Sequence, residues 1–533
     1  MESKKYQAFW RGAIILTIAS FVTKVLSAFY RIPYQNIAGD IGFYIYQQIY
    51  PFYGFCLILA TYGFPIIISK MVAERLERGK KQEAEEIICV SFWFLLGIGF
   101  IGFFTLFFGA EAIATAMGDI HLDKLLRVIS FSFILMPFLS VARGYFQGFN
   151  NMMPTAVSQV IEQTIRVSII VFLSLFLIAH EFDLYTVGAG AMLGSIAGGL
   201  IGIIVLVLYM RHDFRSIFFK SVKRIEGKKK IIKILFWQGL AICVSNLVLI
   251  FIQMADSVSF YSLLIGAGEP AESAKVLKGV YDRSIPLMQL GTVVTTSFSL
   301  SLIPIITAAK ERGDLTFIRE KVRLAMKITF VIGFAAAIGL TCIIQPTNIM
   351  LFENSDGSDV LSILSLSILF SSLSITTASI LQGLGQTLKP AIFVVFGGCL
   401  KLVLNYILMP YFGAKGAAIA TLVALIVISV LNSMLLMRAV SESLIDKRNM
   451  LGIVISGFSM GFVLIMFMRV LQMSGLVMDT SHRGVATLEA LLGVAIGGLA
   501  YMFLILKLRV FTKAEIGTVM KKEKKEGSLK KSG

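Results

Sequence analysis

Charge is scarce in this chain: 15% of its 533 residues are Asp, Glu, Lys or Arg, and 56% are hydrophobic. Mean hydropathy is +0.82. A water-soluble fold cannot hide that much apolar surface, so a soluble enzyme or binding domain is excluded. Histidine and cysteine are also few, at four and five residues. His121, His180, His212 and His482 are scattered through loops and form no metal constellation. Cys56, Cys89, Cys243, Cys342 and Cys399 lie in or beside apolar segments without a CxxC spacing. They read as small packing residues, not as a disulfide frame or metal site. The short loops hold no Ser/His/Asp or His/Asp grouping, which argues against an enzyme. No Ala-x-Ala-like site follows the first apolar stretch, so it is expected to persist as a helix and not be removed as a signal peptide.

What remains is a succession of apolar runs, each near the roughly 20 residues a membrane-crossing helix needs. About 14 such spans predict an all-α polytopic membrane protein. The net charge of +17 would suggest nucleic acid, but its distribution points to a membrane. Basic residues cluster in alternate loops, around Lys70–Lys81, Arg211–Lys233, Lys310–Arg323 and Arg438–Arg448. The intervening loops carry Glu111, Asp119, Asp123, Glu181, Asp183, Glu269, Glu272, Glu353, Asp356 and Asp359. Positive-inside bias places the basic loops and both termini in the cytoplasm of a bacterial cell. The lysine-rich tail then lies in solvent near anionic lipid. The expected surroundings are membrane lipids, with no nucleic-acid partner and no cofactor or metal; a monomer is expected, with no coupling ion assigned.

Short marks recur in order along the two halves. Phe9-Trp10-Arg11-Gly12 is matched by Phe236-Trp237-Gln238-Gly239, and Glu77-Arg78-Gly79 by Glu311-Arg312-Gly313. Pro51 and Pro65 are matched by Pro286 and Pro304, and Gln147-Gly148 by Gln382-Gly383. Offsets of about 225–235 residues predict duplication of a six-helix unit. The expected organisation is an N-terminal lobe at 1–215, a basic linker at 216–230 and a C-terminal lobe at 231–440. Two additional helices follow at 441–510 and a basic tail at 511–533. Two parallel repeats around a central cavity form a transporter layout. Gly190, Gly194, Gly198 and Gly202 read as a packing seam between helices.

Polar residues inside the apolar runs carry the functional signal. Thr17, Ser20, Lys24, Ser27 and Arg31 are spaced to share one helical face. An intramembrane cation costs roughly 2.5–3.5 kcal/mol on insertion scales and usually faces a polar interior. Glu162 is spaced to pair with Arg166 one turn on. Further along come Asp256, the neighbours Asp282 and Arg283, and Lys401 with Asn405. Cations outnumber acids in this set, which suits an anionic ligand, and arginine can grip phosphate with two parallel hydrogen bonds. Tyr44, Tyr46, Tyr50 and Tyr53 read as interfacial belt residues, with sugar contact as the alternative.

The run Thr23-Lys24-Val25-Leu26-Ser27-Ala28-Phe29-Tyr30-Arg31 resembles the first-helix signature of lipid II flippases. Tyr281-Asp282-Arg283 resembles the acidic–basic pair of their eighth helix. The chain is similar in layout to the multidrug/oligosaccharidyl-lipid/polysaccharide exporter superfamily, and within it to the stage V sporulation protein B-like branch. The resemblance implies export of undecaprenyl-pyrophosphate-linked saccharide. It also implies a substrate cavity drawn from Lys24, Arg31, Glu162, Arg166, Asp256, Asp282, Arg283 and Lys401. Lys24 departs from the arginine frequent in flippases, keeping the charge without the fork. The alternatives are a cation-coupled multidrug exporter of the same superfamily and, more remotely, a membrane enzyme of glycan assembly.

Overall fold

The apolar runs fold as helices in the computed structural model, which describes residues 2–210, 227–442, 444–473 and 482–512. Inside a bilayer the backbone must satisfy itself, which leaves helices or a closed barrel. No strand occurs among the described residues. The first half comprises α1 (Glu2–Phe29), α2 (Arg31–Ile58), α3 (Phe64–Glu77), α4 (Lys81–Phe108), α5 (Ala110–Ala116), α6 (Asp123–Gly148), α7 (Met153–Ala179) and α8 (Leu184–Tyr209). The second comprises α9 (Lys228–Ile234), α10 (Leu240–Asn246), α11 (Val248–Gly266), α12 (Ala271–Asp282), α13 (Ser284–Glu311), α14 (Leu315–Cys342), α15 (Ile344–Phe352), α16 (Ser358–Gly383) and α17 (Leu388–Val440). Two last helices follow, α18 (Lys447–Met473) and α19 (Arg483–Lys507). Most of the expected basic linker, and the tail after residue 512, lie outside the described residues.

Eleven segments among the described residues are long and apolar enough to cross a membrane. Two of them, Ile15–Glu77 and Leu388–Val440, have 63 and 53 residues, enough for two passes each. Both are broken at a glycine with positive φ, Gly39 (φ 67°, ψ −177°) and Gly413 (φ 53°, ψ −133°). Glycine reaches that region without the steric cost other residues meet. Arg31 lies within the first helix and not at its end, because Tyr30 keeps helical dihedrals and the helix runs on to the break at Gly39. After Gly39 the chain folds back along itself, so that the Tyr30 and Tyr46 hydroxyls meet at 2.8 Å.

Buried apolar side chains gather into two large clusters. One is built mainly from α2 to α8; the other runs from Val248 to Val510 and includes Met460, Leu464 and Tyr501 of the last two helices. Helix α11 serves both, with Ile250 and Phe260 in the first and Val248 and Ile252 in the second. The glycine line of α8 is a packing seam against α7. A Cβ at Gly198 would stand 2.7 Å from the Glu162 carbonyl oxygen, and one at Gly202 would stand 3.2 Å from Glu162 Oε2. Asp183 starts α8 by accepting hydrogen bonds from the backbone N–H groups of Tyr185 and Thr186 at 3.0 and 3.1 Å, a side-chain N-cap. Below, the end of the bundle where α1 starts is called proximal, and the end at Gly39 distal.

Candidate functional site

Between the two halves lies a cavity of about 230 Å³, walled by Lys24, Ser27, Tyr50 and Glu162 of the first half and Gln253 and Gln289 of the second. That volume suits a polar head group better than a single ion. Lys24 and Ser27 reach it because the polar face of α1 turns inward, away from the exposed Ile18, Phe21 and Phe29.

Behind Ser27, Tyr50 and Gln289 of the cavity wall, and not among the lining residues themselves, two arginines are packed among tyrosines. Arg31 is fully buried; its Nη1 donates to Gln289 Oε1 at 2.8 Å and to the Ser27 carbonyl. Its guanidinium lies 4.3 Å from the Tyr50 ring centre and 5.1 Å from that of Tyr30. Arg166, also fully buried, lies 5.2 Å from the Tyr30 ring and 4.9 Å from Tyr53. It donates to the Tyr53 and Tyr30 hydroxyls at 3.1 and 3.3 Å. Among the described residues no carboxylate comes within 4.0 Å of either cation. Three guanidinium nitrogens, Nε and Nη2 of Arg31 and Nε of Arg166, have no hydrogen-bond partner. Tyr44, Tyr46, Tyr50 and Tyr53 are 0–5% exposed. They are core residues, which overturns the belt reading: the fold-back at Gly39 turns their helix face inward.

Glu162 does not pair with Arg166. Its partner is Arg143 of α6, with Arg143 Nη2 at 2.5 Å from Glu162 Oε2. Helical spacing permitted the local pair, but Arg166 points to the tyrosines, and the α8 glycines leave room for the Glu162 side chain between α8 and Arg143 of α6.

The remaining predicted residues sit beyond the main cavity. Asp256 and Asp282 line a smaller adjoining chamber with Gln47 and Lys278, and Gln253 and Gln289 border both spaces. Lys401 is not at the main cavity; its Nζ lies 2.8 Å from Asp256 Oδ1 and donates to the Ala417 carbonyl at 2.6 Å. Asp282 is held by Lys278 at 2.5 and 2.7 Å. Arg283 does not face the central space either. It grips Asp40 through both oxygens at 2.7–2.8 Å and donates to Asn354 Oδ1 at 2.7 Å. Each of these charges is compensated: Asp282 by a lysine one turn earlier, Lys401 by Asp256 of α11, and Arg283 by Asp40 beside the Gly39 break.

Arg283–Asp40 belongs to a seal that joins the two halves at the distal end. Asp119 accepts from Tyr44 and Tyr185 at 3.2 and 2.6 Å, and Lys275 reaches Tyr185 at 2.6 Å. Gly279 lets α12 lie directly on α2, where a Cβ would stand 2.7 Å from the Asp40 carbonyl carbon. Arg143, Lys278, Asp40 and Tyr30 were missed in the sequence. An intramembrane arginine in the apolar run that forms α6 and a lysine four residues before Asp282 were the available signals. Among the described residues no group of three His, Cys, Asp or Glu is placed to hold a metal.

Comparison with known proteins agrees with this architecture. The polysaccharide biosynthesis protein family matches residues 9–310, and the MatE family matches residues 279–407. "Uncharacterized membrane protein YabM" of Bacillus subtilis is 41% identical, over 96% of this chain and 94% of its own length. "Lipid II flippase MurJ" of the same organism is 26% identical over 92% of this chain and 94% of its own. A solved structure titled "Lipid II flippase MurJ, inward closed conformation" superimposes with a TM-score of 0.66 at 15% identity, covering 93% of this chain and 99% of that one. The chain belongs to the polysaccharide biosynthesis protein family within the multidrug/oligosaccharidyl-lipid/polysaccharide exporter superfamily, as a multi-pass membrane flippase or exporter and not an enzyme.

Proposed function

We propose that the protein flips undecaprenyl-pyrophosphate-linked saccharide, lipid II or another cell-envelope precursor, from the inner to the outer leaflet of the bacterial cell membrane by alternating access. The observation that carries this reading is the buried pair Arg31 and Arg166, with no carboxylate in ion-pair reach among the described residues. Ring contacts worth about 0.5–2 kcal/mol each soften the cost of burying a cation, but they do not cancel its charge. A buried donor left unbonded costs about 1–3 kcal/mol, and three are left on this pair. A pyrophosphate supplies what is missing: negative charge and several acceptor oxygens that a guanidinium grips two at a time. Lys24 extends the positive surface along the wall, and the prenyl tail remains in lipid between the halves. Arg283, engaged with Asp40 here, becomes available to the substrate when the distal seal parts, while Lys401 stays with Asp256.

A drug exporter is the rival, favoured by the match of the MatE family to residues 279–407. An exporter of cationic drugs needs an unpaired acid in the cavity; Glu162 is paired instead. Two tests follow. Expression in a strain depleted of its lipid II flippase should restore growth if lipid II is the cargo. With both termini cytoplasmic, single cysteines at Gly227 and Gly313 should react from the cytoplasmic side, and those at Gly268 and Gly357 from outside. The reversed labelling pattern would rule out the orientation and the direction of transport with it.

A further inference from the structure

Arg143 has no part in the reading above except as the partner of Glu162, yet its position is specific. It is fully buried one layer behind the cavity wall. Besides Glu162 it donates to the Thr61 hydroxyl at 3.2 Å, the Ala60 carbonyl at 3.4 Å and the Ser158 hydroxyl at 3.4 Å. Glu162 and Thr61 both line the cavity. Among the described residues, Lys24 and Glu162 are the Lys, Arg, Asp or Glu side chains that line it. Left uncompensated, the Glu162 carboxylate would oppose Lys24 and repel an anion entering toward Arg31. The carboxylate sits close against α8 in the space left by Gly202, where a Cβ would be 3.2 Å from Glu162 Oε2, and is held there by its bond to Arg143.

We propose that Arg143 is a positioning residue that sets the charge selectivity of the cavity: from behind the wall it cancels Glu162 and fixes its carboxylate, so that the space the substrate enters stays cationic. The inference rests on the flippase reading and deepens it. Arg143 never touches the substrate; it acts through Glu162 alone. A pair that served the fold alone would leave the lipid preference of every folded variant unchanged, whereas a charge-cancelling group shifts that preference when it is lost and restores it when its partner is removed too.

The test compares Arg143→Gln, Glu162→Gln, the double variant and Arg143→Lys with the wild type. Native mass spectrometry reads the retention of undecaprenyl pyrophosphate against a neutral prenyl glycolipid in the full-length protein. Wild type should prefer the pyrophosphate lipid. Arg143→Gln should lose about tenfold of that preference, the size expected of one uncompensated charge nearby. Arg143→Lys should keep it, Glu162→Gln should raise it because the Arg143 charge is then uncompensated, and the double variant should return to within about threefold of wild type. Should Arg143→Gln not fold, the double variant and Arg143→Lys still decide, because neither leaves a buried charge alone. Undiminished preference in Arg143→Gln, a double variant weaker than that limit, or a tenfold loss in Glu162→Gln would overturn the proposal. A wild type indifferent to the two lipids would overturn the flippase reading itself and this inference with it.

Discussion

Arg31→Ala should abolish lipid transport while leaving a folded protein. The substitution deletes the guanidinium that bonds Gln289 across the interface between the halves and whose other nitrogens have no partner. Two charge-assisted bonds to a pyrophosphate, at about 1.5–3 kcal/mol each, correspond to roughly a hundredfold or greater loss. Folding should survive, because the change removes a buried cation that no carboxylate compensates and leaves no buried acid behind. Arg166→Ala should act in the same direction and more weakly, since its hydrogen bonds are already made to Tyr53 and Tyr30. Arg31→Lys should recover only part of the activity, because an ammonium keeps the charge and lacks the fork. Growth of a dependent strain checks the series, with size-exclusion behaviour and thermal stability as controls for folding. Full activity in Arg31→Ala would remove the residue from the substrate site.

The second large effect is expected at Gly279. Here α12 lies on the backbone of α2 at Asp40, and any side chain would strike main-chain atoms that cannot rotate away. Overpacking costs about 1–3 kcal/mol in ordinary cores and more against backbone. Gly279→Val should therefore shift the population away from the distally sealed state by roughly tenfold or more. Asp40→Ala should do the same by another route: it leaves Arg283 buried without its carboxylate, and breaking a buried pair in this way costs about 3–5 kcal/mol. In both variants a reporter cysteine at Gln289, just inside the seal, should label faster from the distal side, and transport should fall because one of the alternating states is disfavoured. Labelling unchanged from wild type in both would mean that this contact is not the seal.

Much of this was legible before the structure, and the reasons are physical. Hydropathy alone fixes the membrane class, and helical spacing puts Lys24 and Ser27 on one inward face of α1. Both signals are local. Pairing between distant helices is not local. Glu162 had an arginine one turn away, yet its partner came from α6 because the glycines of α8 set how α7 packs. Arg283 read as a cavity residue because its partner Asp40 lies 243 positions earlier and meets it only after the chain breaks at Gly39. Tyrosines 44–53 looked interfacial for the same reason: without that break, their face cannot be assigned. A glycine followed by an acid inside an apolar run was the clue to both errors.

The central claim is that the buried arginine pair carries a pyrophosphate-linked prenyl saccharide across the bilayer. The most direct measurement reconstitutes the protein in liposomes with a fluorescent undecaprenyl-pyrophosphate saccharide and follows the label's exposure to an impermeant quencher added outside. The account predicts that wild type makes inner-leaflet label quenchable, that Arg31→Ala does not, and that a neutral prenyl glycolipid moves far more slowly. Equal movement of the neutral lipid, or transfer that persists in Arg31→Ala, would contradict it.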